Sequence, residues 1–181
     1  MSKGRLDLCL GAGGTLPALL AEYAAYGIQL GTPGERYDSV RDFIRMARGM
    51  WTHDTFTYEG KAFQVKDAVC LPKPVHGTIP LWVGAAGPRM LRLVGRLADG
   101  WMRNRGWPAS VDEYRAVNAG IDAAAVSAGR DPGAIRRVLN GAAVVAASEA
   151  QVEELLTKAA GGASSQRPSG VVGTPDQAAT Q

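Results

Sequence analysis

The sequence has few of the residues that bind metals or cross-link secreted proteins. Its 181 residues include only two cysteines and two histidines, and neither histidine stands at metal-ligand spacing from Cys9 or Cys70. The sequence therefore predicts neither a metal site nor a disulfide framework. We interpret Cys9 as an apolar filler of a buried strand, and we expect a reducing, cytoplasmic environment.

Long apolar runs and dense basic clusters are also missing. No window is long and apolar enough to cross a bilayer, and the N-terminus lacks the apolar stretch of a signal peptide. The net charge is only +3, and we interpret Arg89, Arg92 and Arg96 as a solvated helix face. We therefore expect no nucleic-acid or membrane partner. His53 and His76 have no nucleophile or carboxylate partner in the sequence, so a hydrolytic triad is not supported.

What the sequence does contain is an alternation of strand and helix patterns, which is typical of parallel βαβ units. Its length suits one domain with a real core. Residues 56–65 alternate on both sides of Glu59-Gly60, which predicts a β-hairpin inserted between two such units. The stretches that predict parallel strands are 6–11, 79–84, 101–103 and 138–145.

The stretch from Ile79 to Trp101 is the most informative. It begins with a short apolar run, which predicts a strand covered on both faces. A turn with almost no side-chain bulk follows at residues 84–87, and Pro88 suits the first position of the next helix. The N–H groups at a helix start attract anions, and small residues let a phosphate come close. Arg89 in the first turn is favoured where an anion binds; the alternative is a solvated arginine beside an ordinary turn.

A second glycine turn, Gly11-Ala-Gly-Gly14, follows the first strand. It is similar to the start of a dinucleotide-binding fingerprint, but Leu16 stands at the third glycine position. A glycine turn at the carboxyl end of a barrel strand explains it better, since such turns line the active face. A complete, doubly wound nucleotide-binding domain stays as the weaker alternative.

Motifs in a fixed order along nearly the whole chain carry a family resemblance. The most specific segment is Val83 to Trp101. The others are Gly4 to Gly13, Pro33 to Trp51, Leu71-Pro-Lys-Pro74, Ala128-Gly-Arg-Asp-Pro132 and Val172-Gly-Thr-Pro175. Together they resemble the luciferase-like oxidoreductases, which include FMN-dependent monooxygenases and coenzyme F420-dependent dehydrogenases and reductases. Arg89-Met-Leu-Arg92 and Gly95-Arg-Leu-Ala-Asp-Gly100 are most similar to the F420-associated branch.

The resemblance implies an incomplete (β/α)8 TIM barrel. Residues 1–181 are then a single partial domain, roughly strands 4 to 7 with the inserted hairpin, in which the first three strands and the last strand are absent. An open half-barrel exposes strand edges and an apolar interior. We therefore expect self-association or pairing with a complementary half-barrel.

The resemblance also implies an oxidoreductase that uses FMN or coenzyme F420. The expected enzyme either transfers a hydride to or from a small organic substrate or oxygenates that substrate. We expect the absent strands to impair this activity. The alternative is a non-catalytic half-barrel that acts only in self-association or binding. No catalytic residue is nominated.

The site residues implied by the resemblance lie in the two glycine turns. The expected cofactor-binding residues are Gly84, Ala85, Ala86, Gly87 and Arg89, which hold the phosphate, and Gly11 and Gly13, which line the pocket. In a barrel, the loop after residue 103 lies on the active face, so we expect Asn104, Arg105 and Trp107 to contact substrate or cofactor. An ordinary surface loop is the alternative there.

Overall fold

The computed structural model describes residues 2–103, 110–159 and 170–180. The strands are Leu8–Gly11 (β1), Phe56–Glu59 (β2), Gln64–Ala68 (β3), Leu81–Gly84 (β4), Gly100–Arg103 (β5), Arg136–Leu139 (β6), Ala142–Val145 (β7) and Gly170–Gly173 (β8). The helices are Pro17–Ala25 (α1), Pro33–Thr52 (α2), Pro88–Leu97 (α3), Val111–Ser127 (α4), Glu149–Ala159 (α5) and Pro175–Ala178 (α6). A 3₁₀ turn spans Pro132–Ala134.

The central sheet has four parallel strands in the order β1-β4-β5-β6. Gly11 of β1 lies beside Gly84 of β4, which lies beside Met102 of β5. This register brings the carboxyl ends of the three strands together at one edge. Helices connect the parallel strands, so the predicted α/β architecture with a parallel sheet is confirmed. Among the described residues, β1 and β6 form the two edges of this sheet.

The core lies on one face of the sheet, under α2, α3 and α4. Leu81, Val83 and Trp101 are fully buried there. The closest helix packing is between α3 and α4, where a Cβ on Gly95 would overlap the carbonyl oxygen of Ile121. Glycine at position 95 therefore lets the two helices come together.

The sequence Thr32-Pro-Gly-Glu35 predicts a helix start, with Thr32 as N-cap, Pro33 at the first position and Glu35 three residues on, and α2 begins there. The hydroxyl oxygen of Thr32 accepts from the N–H of Glu35 at 3.3 Å, and the Glu35 carboxylate accepts from the N–H of Thr32 at 2.7 Å. Hydrogen bonding of the Glu35 carboxylate to the side chain and backbone of Thr32 lowers the pKa of Glu35. The reciprocal pair is a capping box, and it fixes where the helix begins. As a result, the residues of its first turns have a defined position beside β1.

Strands β2 and β3 form the predicted antiparallel hairpin, which is fastened to α2 through Asp42. The fully buried carboxylate of Asp42 accepts from Arg41 Nε at 2.8 Å, from the Tyr58 hydroxyl at 2.9 Å and from the Ala62 N–H at 2.8 Å. Burial alone would raise the pKa of Asp42, but the bonds from Ala62, Arg41 and Tyr58 lower it to about 2. Asp42 is therefore a charged group with a full set of hydrogen-bond partners, and it links α2 to the hairpin.

The prediction of one buried strand over residues 138–145 is wrong. The structure has two strands there, β6 and β7, in different sheets. The N–H of Asn140 donates to the carbonyl of Arg103 at 3.0 Å, after which the chain leaves the central sheet. Strand β7 is mostly exposed. The physical reason is Asn140-Gly141, a dipeptide that favours turns and that lies inside the predicted strand.

Strand β8 was not predicted. It pairs in parallel with β7 to form a separate two-stranded sheet. The burial of Cys9 was also predicted wrongly, because its side chain is exposed. Leu8 and Leu10 pack against the core instead, and alternation along the strand puts Cys9 on the other face. In the described ranges, no helix has the length and apolar character to cross a membrane.

Candidate functional site

A cleft of about 640 Å³ opens at the carboxyl ends of β1 and β4. The loops after these two strands form its floor, and the first turns of α2 and α3 form its walls. In parallel α/β sheets, ligands bind outside the carboxyl ends of the strands. The residues predicted for cofactor binding all line this cleft: Gly11, Gly13, Gly84, Ala85, Ala86, Gly87 and Arg89. The structure thus brings the two glycine turns together, while their role in binding stays a prediction.

The glycines leave the backbone of the cleft open. A Cβ built on Gly11 or Gly87 meets no atom within 4 Å, so any larger side chain there would occupy free space. At position 13, the backbone conformation and the close packing both require glycine. Its φ is +77°, which L side chains rarely adopt, and a Cβ would lie 2.8 Å from Leu30 Cδ1. The cleft therefore has room for a ligand to approach main-chain atoms.

The helix start at Gly87 provides hydrogen-bond donors. Gly87 is the N-cap of α3, with φ −81° and ψ 148°, and Pro88 follows it. The first intrahelical hydrogen bond joins the N–H of Leu91 to the carbonyl of Gly87 at 3.0 Å. The N–H groups of Arg89 and Met90 precede this bond, so the helix itself supplies no acceptor for them. Such groups, with the helix dipole, bind anions.

Two arginines line the cleft, and in the described lining no Asp or Glu accompanies them. The guanidinium carbon of Arg89 lies 4.1 Å from the centroid of the Tyr37 ring, which is a cation–π contact. Nη1 of Arg36 donates to the carbonyl of Gly13 at 3.2 Å. Nε of Arg36 is buried without a hydrogen-bond partner among the described residues. The cleft is therefore cationic and suits an anionic ligand.

Arg36 and Tyr37 were not predicted as site residues. A usable indication was present, because the capping box placed a helix start shortly after the strand that ends at Gly11. A helix that begins near the carboxyl end of a strand has its first turns at the ligand-binding edge. Asn104, Arg105 and Trp107, the predicted substrate loop, lie outside the described residues, and their role stays a prediction.

The cleft offers binding groups rather than a catalytic acid or base. Within residues 2–103, 110–159 and 170–180, its lining contains no carboxylate, histidine or cysteine. In the same ranges, no group of three or more such side chains lies close enough to hold a metal. The donors include main-chain N–H groups, two guanidinium groups, the phenol of Tyr37 and the hydroxyl of Thr15. This set can hold and orient an anionic cofactor.

Two of the motifs outside the cleft have structural roles. The ammonium group of Lys73, in Leu71-Pro-Lys-Pro74, donates to the carbonyls of Met50 and His53 at the end of α2. The guanidinium of Arg130, in Ala128-Gly-Arg-Asp-Pro132, donates to carbonyls at the end of α3. Both cations satisfy the carbonyl groups that a helix C-terminus leaves free. These motifs therefore support the frame around the site.

Comparison with known proteins identifies the family. The family model described as luciferase-like monooxygenase matches residues 1–181. This chain belongs to that family. The resemblance inferred from the motifs is thereby confirmed. The curated relatives of this luciferase-like chain include F420-dependent enzymes.

The relatives are longer than this chain. An F420-dependent glucose-6-phosphate dehydrogenase of Gordonia bronchialis is 33% identical over 141 residues, which are 77% of this chain and 40% of that protein. This luciferase-like chain spans about 30–43% of the length of the curated relatives that it matches.

Solved structures agree on the fold. A monooxygenase, RslO1, from Streptomyces bottropensis is similar with a TM-score of 0.75 and 19% identity, over 99% of this chain and 57% of that one. A coenzyme F420-dependent tetrahydromethanopterin reductase from Methanopyrus kandleri gives a TM-score of 0.70 and 18% identity, over 98% and 64% of the two chains. At such identities, the likeness shows a common luciferase-like fold.

Proposed function

We propose that this protein is an oxidoreductase that transfers a hydride between coenzyme F420 or FMN and a small organic substrate. The cleft beside Gly11 and Gly87 holds the cofactor. The observation that carries this proposal is the combination of open glycine backbone, a helix start and two arginines in one cleft whose described lining has no carboxylate. When bound, the cofactor supplies the hydride chemistry, and the protein binds and orients it.

The residues present fit the phosphate of such a cofactor. The N–H groups of Arg89 and Met90 and the Arg89 guanidinium supply charge-assisted hydrogen bonds. Gly11 and Gly84, adjacent in the sheet, leave room for the rest of the molecule. A cleft of about 640 Å³ lies within the range of about 300–1,000 Å³ that is typical of small-molecule sites.

F420 is the favoured cofactor, and FMN with oxygen is the second choice. The relative from Gordonia bronchialis and the reductase from Methanopyrus kandleri are both named as F420-dependent. The similarity to a monooxygenase supports keeping oxygenation as the alternative reaction. The cytoplasm stays our proposed location.

We also propose that the four-stranded sheet is part of a (β/α)8 barrel, roughly strands 4 to 7, and that this chain self-associates. The support is the edge position of β1 among the described strands, beside a helix, α1, that has no buried residue. Exposed apolar side chains next to an unpaired strand edge favour pairing with another chain. If the barrel is completed only by such pairing, the chain alone is a binding module and not an enzyme.

A fluorescence titration of the purified chain with F420 and with FMN tests the function. We expect saturable binding of at least one cofactor. Arg89→Gln should weaken it about tenfold, because one charge-assisted hydrogen bond to the phosphate is lost. Arg92→Gln is the matched control, since Arg92 is an exposed arginine of the same helix that does not line the cleft.

Size-exclusion chromatography of the same samples, with and without cofactor, tests self-association. Binding by the chain at any oligomeric state supports the cofactor site. If the chain binds neither cofactor, or if Arg89→Gln and Arg92→Gln bind equally well, the phosphate assignment is wrong. A compact monomer would contradict self-association.

A further inference from the structure

The first turns of α2 bring a second arginine, Arg36, into the cleft, in addition to Arg89 at the proposed phosphate site. We propose that Arg36 forms a second anion-binding subsite in the cleft, and that it binds a negatively charged group of the cofactor tail beyond the phosphate. This inference rests on the proposed function. It predicts that the cleft distinguishes cofactors by the number of anionic groups they carry.

The surroundings of Arg36 leave part of its guanidinium without a hydrogen-bond partner among the described residues. Nη1 of Arg36 donates to the carbonyl of Gly13, which holds the guanidinium against the glycine turn. Nε is buried and has no hydrogen-bond partner in the described ranges, and a buried donor without an acceptor costs free energy. Rotation of the side chain toward a bound anion relieves this cost. Across the described part of the chain, the guanidinium has no ion-pair partner either.

The neighbouring carboxylate does not provide the missing charge. Glu35 precedes Arg36, but its carboxylate accepts a hydrogen bond from the N–H of Thr32 in the capping box. Arg36 also lies close to the start of α2, at the end where the helix dipole disfavours a cation. Beyond its hydrogen bond to Gly13, the positive charge of Arg36 is therefore available to a ligand.

Arg36 and Arg89 belong to different walls of the cleft. Arg89 is on α3, where the ring of Tyr37 holds its guanidinium, and Arg36 is on α2. Two like charges in one acid-free cleft repel each other. A phosphate at the start of α3 would lie beside Arg89, which leaves the Arg36 guanidinium on α2 for another anionic group. A ligand with a second anionic group, placed toward α2, compensates both.

The chemistry of the two candidate cofactors differs in this respect. FMN ends in one phosphomonoester, whereas F420 carries a phosphodiester followed by a tail with carboxylates. The second subsite therefore recognises a carboxylate, and it makes the cleft selective for the tailed deazaflavin. Arg36 is in this sense a specificity-determining residue.

The test compares both cofactors on the wild-type chain, Arg36→Gln and Arg36→Lys by fluorescence titration. Arg36→Gln should weaken F420 binding about tenfold, because a charge-assisted hydrogen bond is lost. FMN should lose a smaller factor than F420, because its single phosphate is proposed to bind at the start of α3, beside Arg89. Arg36→Lys keeps the charge and should recover most of the F420 affinity. Thermal unfolding by circular dichroism confirms that each variant is folded.

The outcomes separate the two proposals. If Arg36→Gln weakens F420 and FMN equally, Arg36 acts only by holding the Gly13 turn, and the second subsite is wrong while the proposed function stands. The same holds if Arg36→Lys binds F420 no better than Arg36→Gln, since charge is then not the cause. If the wild-type chain binds neither cofactor, the proposed function and the subsite both fail.

Discussion

The amino and carboxyl ends of β4 contrast in how charged groups are partnered. At the amino end, the Asp99 carboxylate accepts from the N–H of Leu81 at 2.9 Å and from Arg48 Nη2 at 2.7 Å. Arg130, from the loop after α4, donates to the carbonyls of Gly95 at 2.6 Å and of Ala98 at 2.7 Å. The charged groups at this end therefore have close partners.

At the carboxyl end of β4, the opposite holds. Arg36 and Arg89 line a cleft without a carboxylate among its described residues, and Gly87 leaves the start of α3 without a side-chain cap. Charged groups that have hydrogen-bond or ion-pair partners stabilise the fold. Charged groups of one sign that lack such partners cost stability, and they mark a place where a ligand can bind. This contrast supports our proposal that the carboxyl end of the sheet binds the cofactor, while the amino end stabilises the fold.

The largest effect is expected from breaking the amino end at Arg130. Arg130→Ala should lower the free energy of unfolding by about 3 kcal/mol, because carbonyl groups at the end of α3 lose a charged donor. Urea denaturation measures this loss. The control is Arg92→Ala, an exposed arginine of α3, which should change the free energy by less than about 0.5 kcal/mol. A loss at position 130 no greater than the control's would show that this end is not held by its charges.

Acid should weaken the stabilisation by Asp42, a second charged group with a full set of hydrogen-bond partners. Its pKa of about 2 in the folded chain lies below the ordinary value of 3.8. The stabilisation is therefore complete above the ordinary value and is lost as the pH falls through the folded value. The loss amounts to at most about 2 kcal/mol.

Urea denaturation at pH 6 and at pH 2 tests this, with Asp42→Asn as the variant. The difference in free energy of unfolding between wild type and variant should shrink at the lower pH. Asp112→Asn is the control, because the pair of Asp112 with Arg115 is exposed, and exposed pairs contribute little to the free energy of unfolding. If the difference in free energy of unfolding between wild type and Asp42→Asn is the same at both pH values, folding does not lower the pKa of Asp42.

Local patterns predicted much of the frame and one half of the cleft. Pro88 after Gly87, and Thr32 with Glu35, identified helix starts because caps and proline act within one turn. The strand before Gly84 was predictable because a short apolar run bounded by turn residues is typical of a buried strand. That the glycine turns at residues 11–14 and 84–87 belong to one site was implied by the family resemblance rather than by these local patterns.

The remaining features depend on pairing between distant segments. Which sheet residues 142–145 join is decided by Gly170–Gly173, and no pattern within β7 contains that information. Arg36 and the turn at Gly87 line one cleft only because β1 and β4 are paired in this register. The exposure of Cys9 follows from which face of β1 the helices cover. Periodicity predicts alternation, but it does not say which face is buried.

The smallest effect on stability, and the sharpest test of the contrast, is expected at Gly87. Its backbone is extended and a Cβ there meets no atom within 4 Å, so Gly87→Asp and Gly87→Asn both fit. Either side chain caps α3 and should raise the free energy of unfolding by about 0.3 kcal/mol. The aspartate also places a negative charge where we propose that the cofactor phosphate binds.

Gly87→Asp should therefore be slightly more stable than wild type and bind F420 or FMN at least about tenfold more weakly. Gly87→Asn carries the same cap without the charge, so its binding should be impaired much less. Urea denaturation and cofactor titration of the same preparations measure the two effects together. If Gly87→Asp binds as tightly as Gly87→Asn, no anion occupies the start of α3. The missing cap would then be a feature of the turn alone, and the two ends of β4 would not differ in the way described above.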